Sequence, residues 1–263
     1  MFVYFWHCLL IRSRSGIIKV MQRVPVLPSD HQLFIVGGED APEAYAPYMA
    51  ALIVGGRLMS QWCGGSIISK RLILTAAHCA LVVGPRYRHL LSLTNLFFLS
   101  CRTFHGRVGS NQWNSGGTII NFKDHHMHPK WDAQNIKQDV AVLRLTEDVI
   151  LSKTVHLQPT PDNIQVLYMK TLAHKPCQAL MQAMSSGRAP NVDEHVEICT
   201  FHSRGHGMCS GDSGSALMRR SSRVQIGIVS WGYSCAYGAP DIHVNLSVVP
   251  YYLTFQSWKL QTQ

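Results

Sequence analysis

Three short segments of the chain carry side chains that together could perform nucleophilic acyl transfer. A serine stands between two glycines in GDSG at residues 211–214, a histidine lies in LTAAHC at residues 74–79, and an aspartate begins DVAVL at residues 139–143. This chemistry needs an oxygen nucleophile, a base that takes its proton, and an acid that holds the base in one tautomer. We therefore predict that Ser213, His78 and Asp139 form one catalytic site.

The glycines around Ser213 suit the same chemistry. Gly211 and Gly214 allow the backbone to turn tightly, so the amides of Gly211 and Ser213 can converge on a developing oxyanion. The order His78, Asp139, Ser213 also separates this site from that of an α/β-hydrolase, in which the serine comes first. We expect activity to fall at acidic pH, where His78 is protonated and no longer accepts a proton.

Composition limits what these residues can belong to. The chain has 263 residues, of which 46% are hydrophobic and 15% charged, so it can bury one large all-β unit or two small domains. Its net charge is +9, but basic and aromatic residues do not alternate as they do in nucleic-acid grooves. We therefore interpret the charge as a solvated basic surface and expect no nucleic-acid partner.

The elements that must position the site read mostly as strands. Short β-branched runs bounded by turn residues predict strands at residues 50–54, 66–68, 72–74, 140–145 and 224–229. Only residues 177–184 and 249–260 read as helices. Many short strands with turn signals at close spacing are typical of barrels or a sandwich.

The first 34 residues read as a signal and pro-segment. An apolar run at residues 2–11 has the length of a signal core, and no run reaches the 18 apolar residues that span a membrane. Eight cysteines favour an oxidising compartment. We therefore expect a secreted, extracellular protein without a membrane anchor.

Taken together, the motifs resemble those of chymotrypsin-like (trypsin-family) serine peptidases. The matching segments are IVGG at 35–38, CGGS at 63–66, TAAHC at 75–79, DVAVLRL at 139–145, GDSG at 211–214 and SWG at 230–232. The resemblance implies two packed antiparallel Greek-key β-barrels of six strands and a C-terminal helix within residues 35–260. The first barrel would occupy about residues 35–150, and the second barrel with the helix about residues 151–260.

The resemblance also implies the activity and its partners. It implies a serine endopeptidase that hydrolyses proteins or peptides through an acyl-enzyme, acts as a monomer, and uses no cofactor. An activating protease and protein inhibitors would be further partners. Cleavage after Phe34 would make Ile35 a new N-terminus, whose ammonium pairs with Asp212 and organises the oxyanion hole.

The same resemblance assigns six cysteines to three disulfides. The implied pairs are Cys63 with Cys79, Cys177 with Cys199, and Cys209 with Cys235, which leaves Cys8 and Cys101 over. A rival interpretation is a metal site, because Cys199, His202, His206 and Cys209 have ligand-like spacing. We predict no metal, since both of these cysteines already have partners in the implied disulfides.

Specificity is expected to depend on the pocket for the side chain before the scissile bond. The resemblance places six residues in its walls: Gly207, Met208, Ser230, Trp231, Gly232 and Asp241. Gly207 stands where trypsin-like members keep an aspartate, whereas Asp241 stands where a glycine is more usual. A carboxylate in the wall disfavours purely apolar side chains and attracts basic ones, so we predict broad or mixed specificity.

The spacing of the site departs from the family pattern. Compared with the spacing of these residues in chymotrypsin-like peptidases, the interval from His78 to Asp139 is long and that from Asp139 to Ser213 is short. The excess lies within residues 84–101, and no Gly-Trp-Gly segment occurs between residues 157 and 167. We therefore expect the second barrel to lack its first strand region. Two explanations remain open: a catalytically impaired homologue that binds or regulates proteins through the same cleft, or a gene prediction that omits part of an ordinary peptidase.

Overall fold

The structure is a computed structural model that describes residues 35–42, 45–55, 59–82, 103–150, 164–233 and 235–249. The predicted leader, the insertion at residues 84–101, and the predicted C-terminal helix beyond Val249 lie outside the described residues, as do Cys8 and Cys101. Within the described part of the chain, no helix is long and apolar enough to cross a membrane.

The described chain is mostly β, as the sequence predicts. Its strands, in chain order, are β1 (Glu39–Asp40), β2 (Met49–Gly55), β3 (Met59–Ser69), β4 (Leu72–Thr75), β5 (Thr103–Val108), β6 (Thr118–Ile120), β7 (Phe122–Met127), β8 (Ala141–Leu145), β9 (Gln165–Val166), β10 (Lys170–Leu172), β11 (Glu197–Phe201), β12 (Ala216–Arg219), β13 (Val224–Gly232) and β14 (Asp241–Asn245). The helices are α1 (Ala77–Ala80), α2 (His174–Ser185) and a 3-10 turn at Leu246–Val248. Strands are thus present at each of the five predicted positions, and α2 contains the helix predicted at residues 177–184.

The first sheet contains seven antiparallel strands in the order β6-β5-β2-β3-β4-β8-β7. Its two outermost strands, β6 and β7, are separated in sequence by Asn121 alone. Because neighbouring residues lie on opposite edges, the sheet must curl round until those edges meet. We expected six strands, and β6 and β7 together make one bent strand that belongs to both edges, which explains the difference.

The second sheet contains five antiparallel strands in the order β10-β11-β14-β13-β12. Its outer strands are β10 and β12, and in the described residues no further strand pairs with either outer edge. Residues 157–163, which make up most of the segment where the first strand region of this barrel was expected to be missing, lie outside the described residues, so its loss stays a prediction. A small sheet, β1 with β9, joins the start of the described chain to residues 165–166.

The core lies mainly inside the first sheet and continues towards the second. Leu52, Ile73 and Leu143 are fully buried there, and Ile228 and Val244 of the second sheet pack against the same cluster. A smaller cluster lies under α2, which buries Cys177 and Met181 one turn apart. Apolar side chains four residues apart lie on one face of a helix, so α2 covers the second sheet with a single face.

Candidate active site

The base and the acid are positioned by two paired strands of the first sheet. His78 lies in α1, directly after β4, and Asp139 lies two residues before β8. Strands β4 and β8 pair so that Thr75 lies opposite Ala141. The pairing therefore brings the chain entering α1 and the chain leaving Asp139 to the same end of the sheet.

Asp139 accepts three hydrogen bonds at this end of the sheet. His78 Nδ1 lies 2.7 Å from Asp139 Oδ2, and the His78 backbone amide donates to Oδ1 at 2.9 Å. The Ser230 hydroxyl donates to Oδ2 at 2.6 Å, and the side chain of Asp139 is fully buried. Because Nδ1–H of a neutral imidazole donates to the carboxylate, Nε2 becomes its acceptor nitrogen, as a general base requires.

Ser213 comes to this site from the second half of the chain. Its carbonyl oxygen accepts a hydrogen bond from the Gly64 amide at 2.8 Å. The sulfur of Cys79 lies 3.6 Å from that carbonyl oxygen and 3.6 Å from His78 Nε2. The disulfide between Cys63 and Cys79 therefore lies against both the backbone of Ser213 and the imidazole of His78.

The turn around Ser213 requires both of its glycines. Gly211 has a φ of +96° and Gly214 a φ of +85°, which are angles that residues with a side chain rarely adopt. A Cβ on Gly214 would lie 2.2 Å from Thr75 Oγ1 and 2.3 Å from the carbonyl oxygen of Gly64. The absence of a side chain at Gly214 thus lets the turn pack directly against the first sheet.

Two amides of this turn are available for an oxyanion. Within the residues that the structure describes, the backbone amides of Gly211 and Ser213 donate to no protein acceptor. Gly211 and Ser213 are half-buried, so a ligand oxygen can reach these two amides in one tight turn. The Gln61 side-chain amide donates to the Gly211 carbonyl at 3.3 Å and supports the turn from the first sheet.

Asp212 points away from this turn into a buried environment at Ile35. Its carboxylate accepts hydrogen bonds from the backbone amides of Cys209, at 2.8 Å, and Ile35. Burial raises the pKa of Asp212 to about 7, these amides oppose the rise, and the charge of Asp241 adds to it. The next residue, Val36, exchanges two backbone hydrogen bonds with Gly207, so the start of the described chain is fixed beside the pocket segment.

Three of the predicted pocket residues, Gly207, Met208 and Gly232, lie directly against a fourth, Asp241. Asp241 is buried at the start of β14, opposite Gly232 of β13, and accepts a hydrogen bond from the Met208 amide at 3.1 Å. A Cβ on Gly207 would lie 3.0 Å from Asp241 Oδ2, and one on Gly232 would lie 3.5 Å from Oδ1. Burial raises the pKa of Asp241 to about 7, which the Met208 amide opposes.

The disulfides remove the rival metal interpretation. Cys63–Cys79, Cys177–Cys199 and Cys209–Cys235 are bonded, so Cys199 and Cys209 offer no thiolate to a metal. His202 and His206 instead stack on each other, with ring centroids 4.4 Å apart. In the described residues, one further group of potential ligands contains Cys63, His78 and Cys79, and its sulfurs belong to a disulfide.

One bond and two residues near this site were not predicted from the sequence. The Ser230 hydroxyl, predicted to lie in the pocket wall, also binds Asp139, and only its position beside Trp231 could have indicated this bond. Lys137 and Glu197 were not considered, although they form an ion pair beside the same strand. They lie 60 positions apart in the sequence, so no local pattern indicates that they meet.

Comparison with known proteins gives consistent matches. The model of a family described as Trypsin matches residues 35–253. The chain is 28% identical to Trypsin 5G1 of Aedes aegypti, over 93% of this chain and 92% of that protein. It is also 28% identical to Chymotrypsin-2 of Vespa crabro, over 79% of this chain and 93% of that protein. Hypodermin-B of Hypoderma lineatum is 28% identical, over 84% of this chain and 86% of that protein.

Proposed function

The chain belongs to the trypsin family of serine peptidases, and from this premise we propose that it is a catalytically active endopeptidase, secreted as an inactive precursor. The observation that carries the proposal is the series of hydrogen bonds from Ser230 through Asp139 to His78, beside the turn that holds Ser213. The hydrogen bonds of Asp139 and His78 support the roles proposed for the acid and the base. Its substrates would be proteins or peptides, and the enzyme would act as a monomer.

In the proposed reaction, Ser213 Oγ attacks the carbonyl carbon of a peptide bond while His78 Nε2 takes the hydroxyl proton. The resulting imidazolium then gives this proton to the leaving amine as the carbon–nitrogen bond breaks, which leaves an acyl-enzyme. Water repeats the cycle with His78 as base, and the acid product is released as Ser213 recovers its proton. Asp139 keeps Nδ1–H oriented throughout and remains a carboxylate.

The amides of Gly211 and Ser213 would bind the oxygen that becomes negative during each attack. Such preorganised donors contribute most where water is excluded, and removing one typically costs about 100–1,000-fold in kcat. Neither amide has another acceptor in the described residues, so no hydrogen bond need be broken when the oxyanion forms.

Activation would act through Asp212. An ammonium formed at Ile35 by cleavage after Phe34 would replace the neutral amide that now donates to Asp212, and would stabilise its ionised form. The activating protease should prefer an aromatic residue, because Phe34 precedes the cut. N-terminal sequencing of the secreted protein tests this step, and a mature N-terminus other than Ile35 would contradict it.

The buried carboxyl of Asp241 supports mixed specificity in the pocket. With a pKa of about 7, it is protonated in part of the molecules at neutral pH and ionised in the rest. The ionised form attracts Lys or Arg, whereas the protonated form accepts an apolar or polar side chain without burying a charge. Gly207 leaves space next to the carboxyl, since it carries no side chain of its own.

A peptide library tests the specificity. Profiling the wild-type enzyme and Asp241→Gly should show loss of cleavage after Lys and Arg, with cleavage after apolar residues retained. Gly207→Ala is a matched control, because it narrows the same space without removing the charge. An unchanged preference in Asp241→Gly would exclude a role of this carboxyl in specificity.

An alternative proposal is a non-catalytic homologue that binds proteins through the same cleft. The open second sheet favours it, because the described strands leave both edges of that sheet without partners. A fluorophosphonate probe, which reacts only with an activated serine, separates the two proposals. Labelling of the processed wild-type protein, and none of Ser213→Ala, is expected of the enzyme. An unlabelled but folded wild-type protein would support the binding module instead.

A further inference from the structure

The carboxylate of Glu197 is buried between the two halves of the chain and accepts four hydrogen bonds. Lys137 Nζ donates to both oxygens at 2.8 Å, Trp231 Nε1 donates to Oε1 at 2.8 Å, and the Asp193 amide donates to Oε2 at 2.7 Å. The side chain of Glu197 is only 3% exposed. A buried carboxylate is tolerated when donors of this number replace its hydration, so the group is fully satisfied where it stands.

The cation of this pair belongs to the loop that carries Asp139. Lys137 lies between Ile136 and Gln138, whose φ angles are +54° and +53°, and its backbone exchanges two hydrogen bonds with Asp132. Left-handed conformations of such residues cost free energy and persist only where surrounding contacts determine them. The bond from Lys137 to Glu197 is one such contact, and it acts two residues before the catalytic acid.

The third member, Trp231, belongs to the strand that lines the proposed pocket. Its indole nitrogen is bonded to Glu197, and Lys137 Nζ lies 5.0 Å from the centre of its ring. A cation at this distance from a tryptophan face is attracted to it. The two neighbours of Trp231 face the site as well, because Ser230 binds Asp139 and Gly232 lies against Asp241.

Two separate links therefore join the Asp139 loop to the pocket strand. One is the hydrogen bond from Ser230 to Asp139, and the other runs from Lys137 through Glu197 to Trp231. The second link also reaches the beginning of β11, where Glu197 is the first residue. A movement of the pocket strand would have to move the loop of the acid with it.

We propose that Lys137 and Glu197 are positioning residues that hold the Trp231 indole and the Asp139 loop in one arrangement, so that the shape of the proposed pocket and the orientation of the base are set together. The inference rests on the proposed peptidase function. It adds two residues, Lys137 and Glu197, that contact neither the nucleophile nor the base in the described structure.

The first experiment measures peptide binding without chemistry. In the Ser213→Ala background, affinities are measured by tryptophan fluorescence for a peptide amide that places Lys in the proposed pocket and for the matching amide with Gly at that position. Glu197→Gln keeps the size of the side chain but removes its charge, and should weaken the Lys peptide about 10-fold while changing the Gly peptide less than about 3-fold. Glu194→Gln is the matched control, because Glu194 lies three residues earlier with its side chain 60% exposed.

The second experiment tests the link to the catalytic acid. Lys137→Met removes the cation and leaves the Glu197 carboxylate buried without it. We therefore expect kcat to fall about 10-fold or more, and the acidic side of the pH profile of kcat to shift. Lys130→Met, an exposed lysine near the same loop, should leave both unchanged. The double variant Lys137→Met with Glu197→Gln should recover part of the loss, because no unpaired charge remains.

The outcomes separate this inference from the proposed function. Variants that unfold more easily but keep the ratio of the Lys-peptide and Gly-peptide affinities and the pH profile would show a merely structural ion pair and overturn the positioning role. Failure of the wild-type chain to react with the fluorophosphonate probe concerns catalysis by Ser213 alone. The binding comparison in the Ser213→Ala background decides the positioning role in either case.

Discussion

The two large sheets differ in how they end. The first sheet closes on itself through Asn121, which joins its two edge strands, whereas the second sheet ends at β10 and β12, whose outer edges have no partner in the described residues. The proposed catalytic groups are divided between these halves, with His78 and Asp139 on the closed one and Ser213 on the open one. The proposed base and acid are therefore held beside a complete ladder of hydrogen bonds, while the proposed nucleophile depends on other supports.

Those supports are covalent bonds and contacts with the closed half. Two of the three disulfides, Cys177–Cys199 and Cys209–Cys235, lie in the half with the open sheet. Gly214 packs on Gly64 and Thr75 of the first sheet, and the Gly64 amide binds the Ser213 carbonyl. Disulfides restrict the unfolded chain and stabilise the folded one by roughly 2–4 kcal/mol each, so they support the half whose sheet has unpaired outer edges in the described residues.

The largest expected effect tests whether the two halves meet correctly at the site. Ser213→Ala should lower kcat on a peptide substrate by about 10,000-fold or more, because the nucleophile is lost while the oxyanion donors remain. Circular dichroism and the unfolding midpoint should stay those of the wild-type protein. Ser210→Ala, in the same segment, serves as the control. A Ser213→Ala protein with undiminished turnover would mean that another group performs the attack.

The next effect concerns the buried carboxyls of the open half. Asp241 has a pKa of about 7 when folded and about 3.8 when unfolded, so the folded state holds an extra proton between these values. The contribution of this proton to the free energy of unfolding is complete below pH 4 and is lost as the pH rises through 7. The free energy of unfolding changes by an amount on the order of 4 kcal/mol over this range. In the uncleaved chain, the contribution of Asp212 to stability also decreases as the pH rises, since burial raises its pKa to about 7 as well.

Urea unfolding of the wild-type protein and of Asp241→Asn at pH 4.5, 5.5, 6.5 and 7.5 measures this change. The difference between the two proteins is the useful quantity, because His243 acts in the opposite direction. Burial lowers the pKa of His243 to about 3, so its contribution is lost as the pH falls from 6.5. A wild-type-minus-variant difference that does not vary with pH would contradict the buried position of Asp241.

A smaller effect compares the packing of the two sheets directly. Leu143 of β8 is fully buried in the closed half, whereas Leu217 of β12 is half-buried at the open edge. Leu143→Ala should lower the free energy of unfolding by about 3 kcal/mol, within the range for core leucines. The same change at Leu217 should cost about 1 kcal/mol. Equal losses in urea unfolding would show that the open edge is covered as well as the core.

The same contrast explains what could be predicted from the sequence. The strands and the motifs of the site follow from local patterns, and Asp241 was found because one residue stands where another type is usual. The closure of the first sheet through Asn121 and the meeting of Lys137 with Glu197 depend on distant pairings that no local pattern indicates. The bond from Ser230 to Asp139 was missed for that reason, because a serine in a strand reads as a pocket wall until the partner is known.

The smallest effect tests that bond, which crosses between the halves beside the base. Ser230→Ala removes one of three donors to the buried Asp139 carboxylate, and a hydrogen bond to a charged group contributes about 1.5–3 kcal/mol. The two remaining bonds come from His78 itself, so Asp139 keeps its partner but loses its fixed orientation.

We therefore expect kcat/KM of Ser230→Ala to fall about 10-fold, mainly through kcat, with KM nearly constant. Ser230→Thr retains the hydroxyl and should recover most of the loss, which separates the hydrogen bond from packing. A higher KM with unchanged kcat would instead assign Ser230 to the pocket wall, where the sequence alone had placed it. That result would leave the acid oriented by the closed half alone, and the open half would contribute only the nucleophile and the substrate pocket.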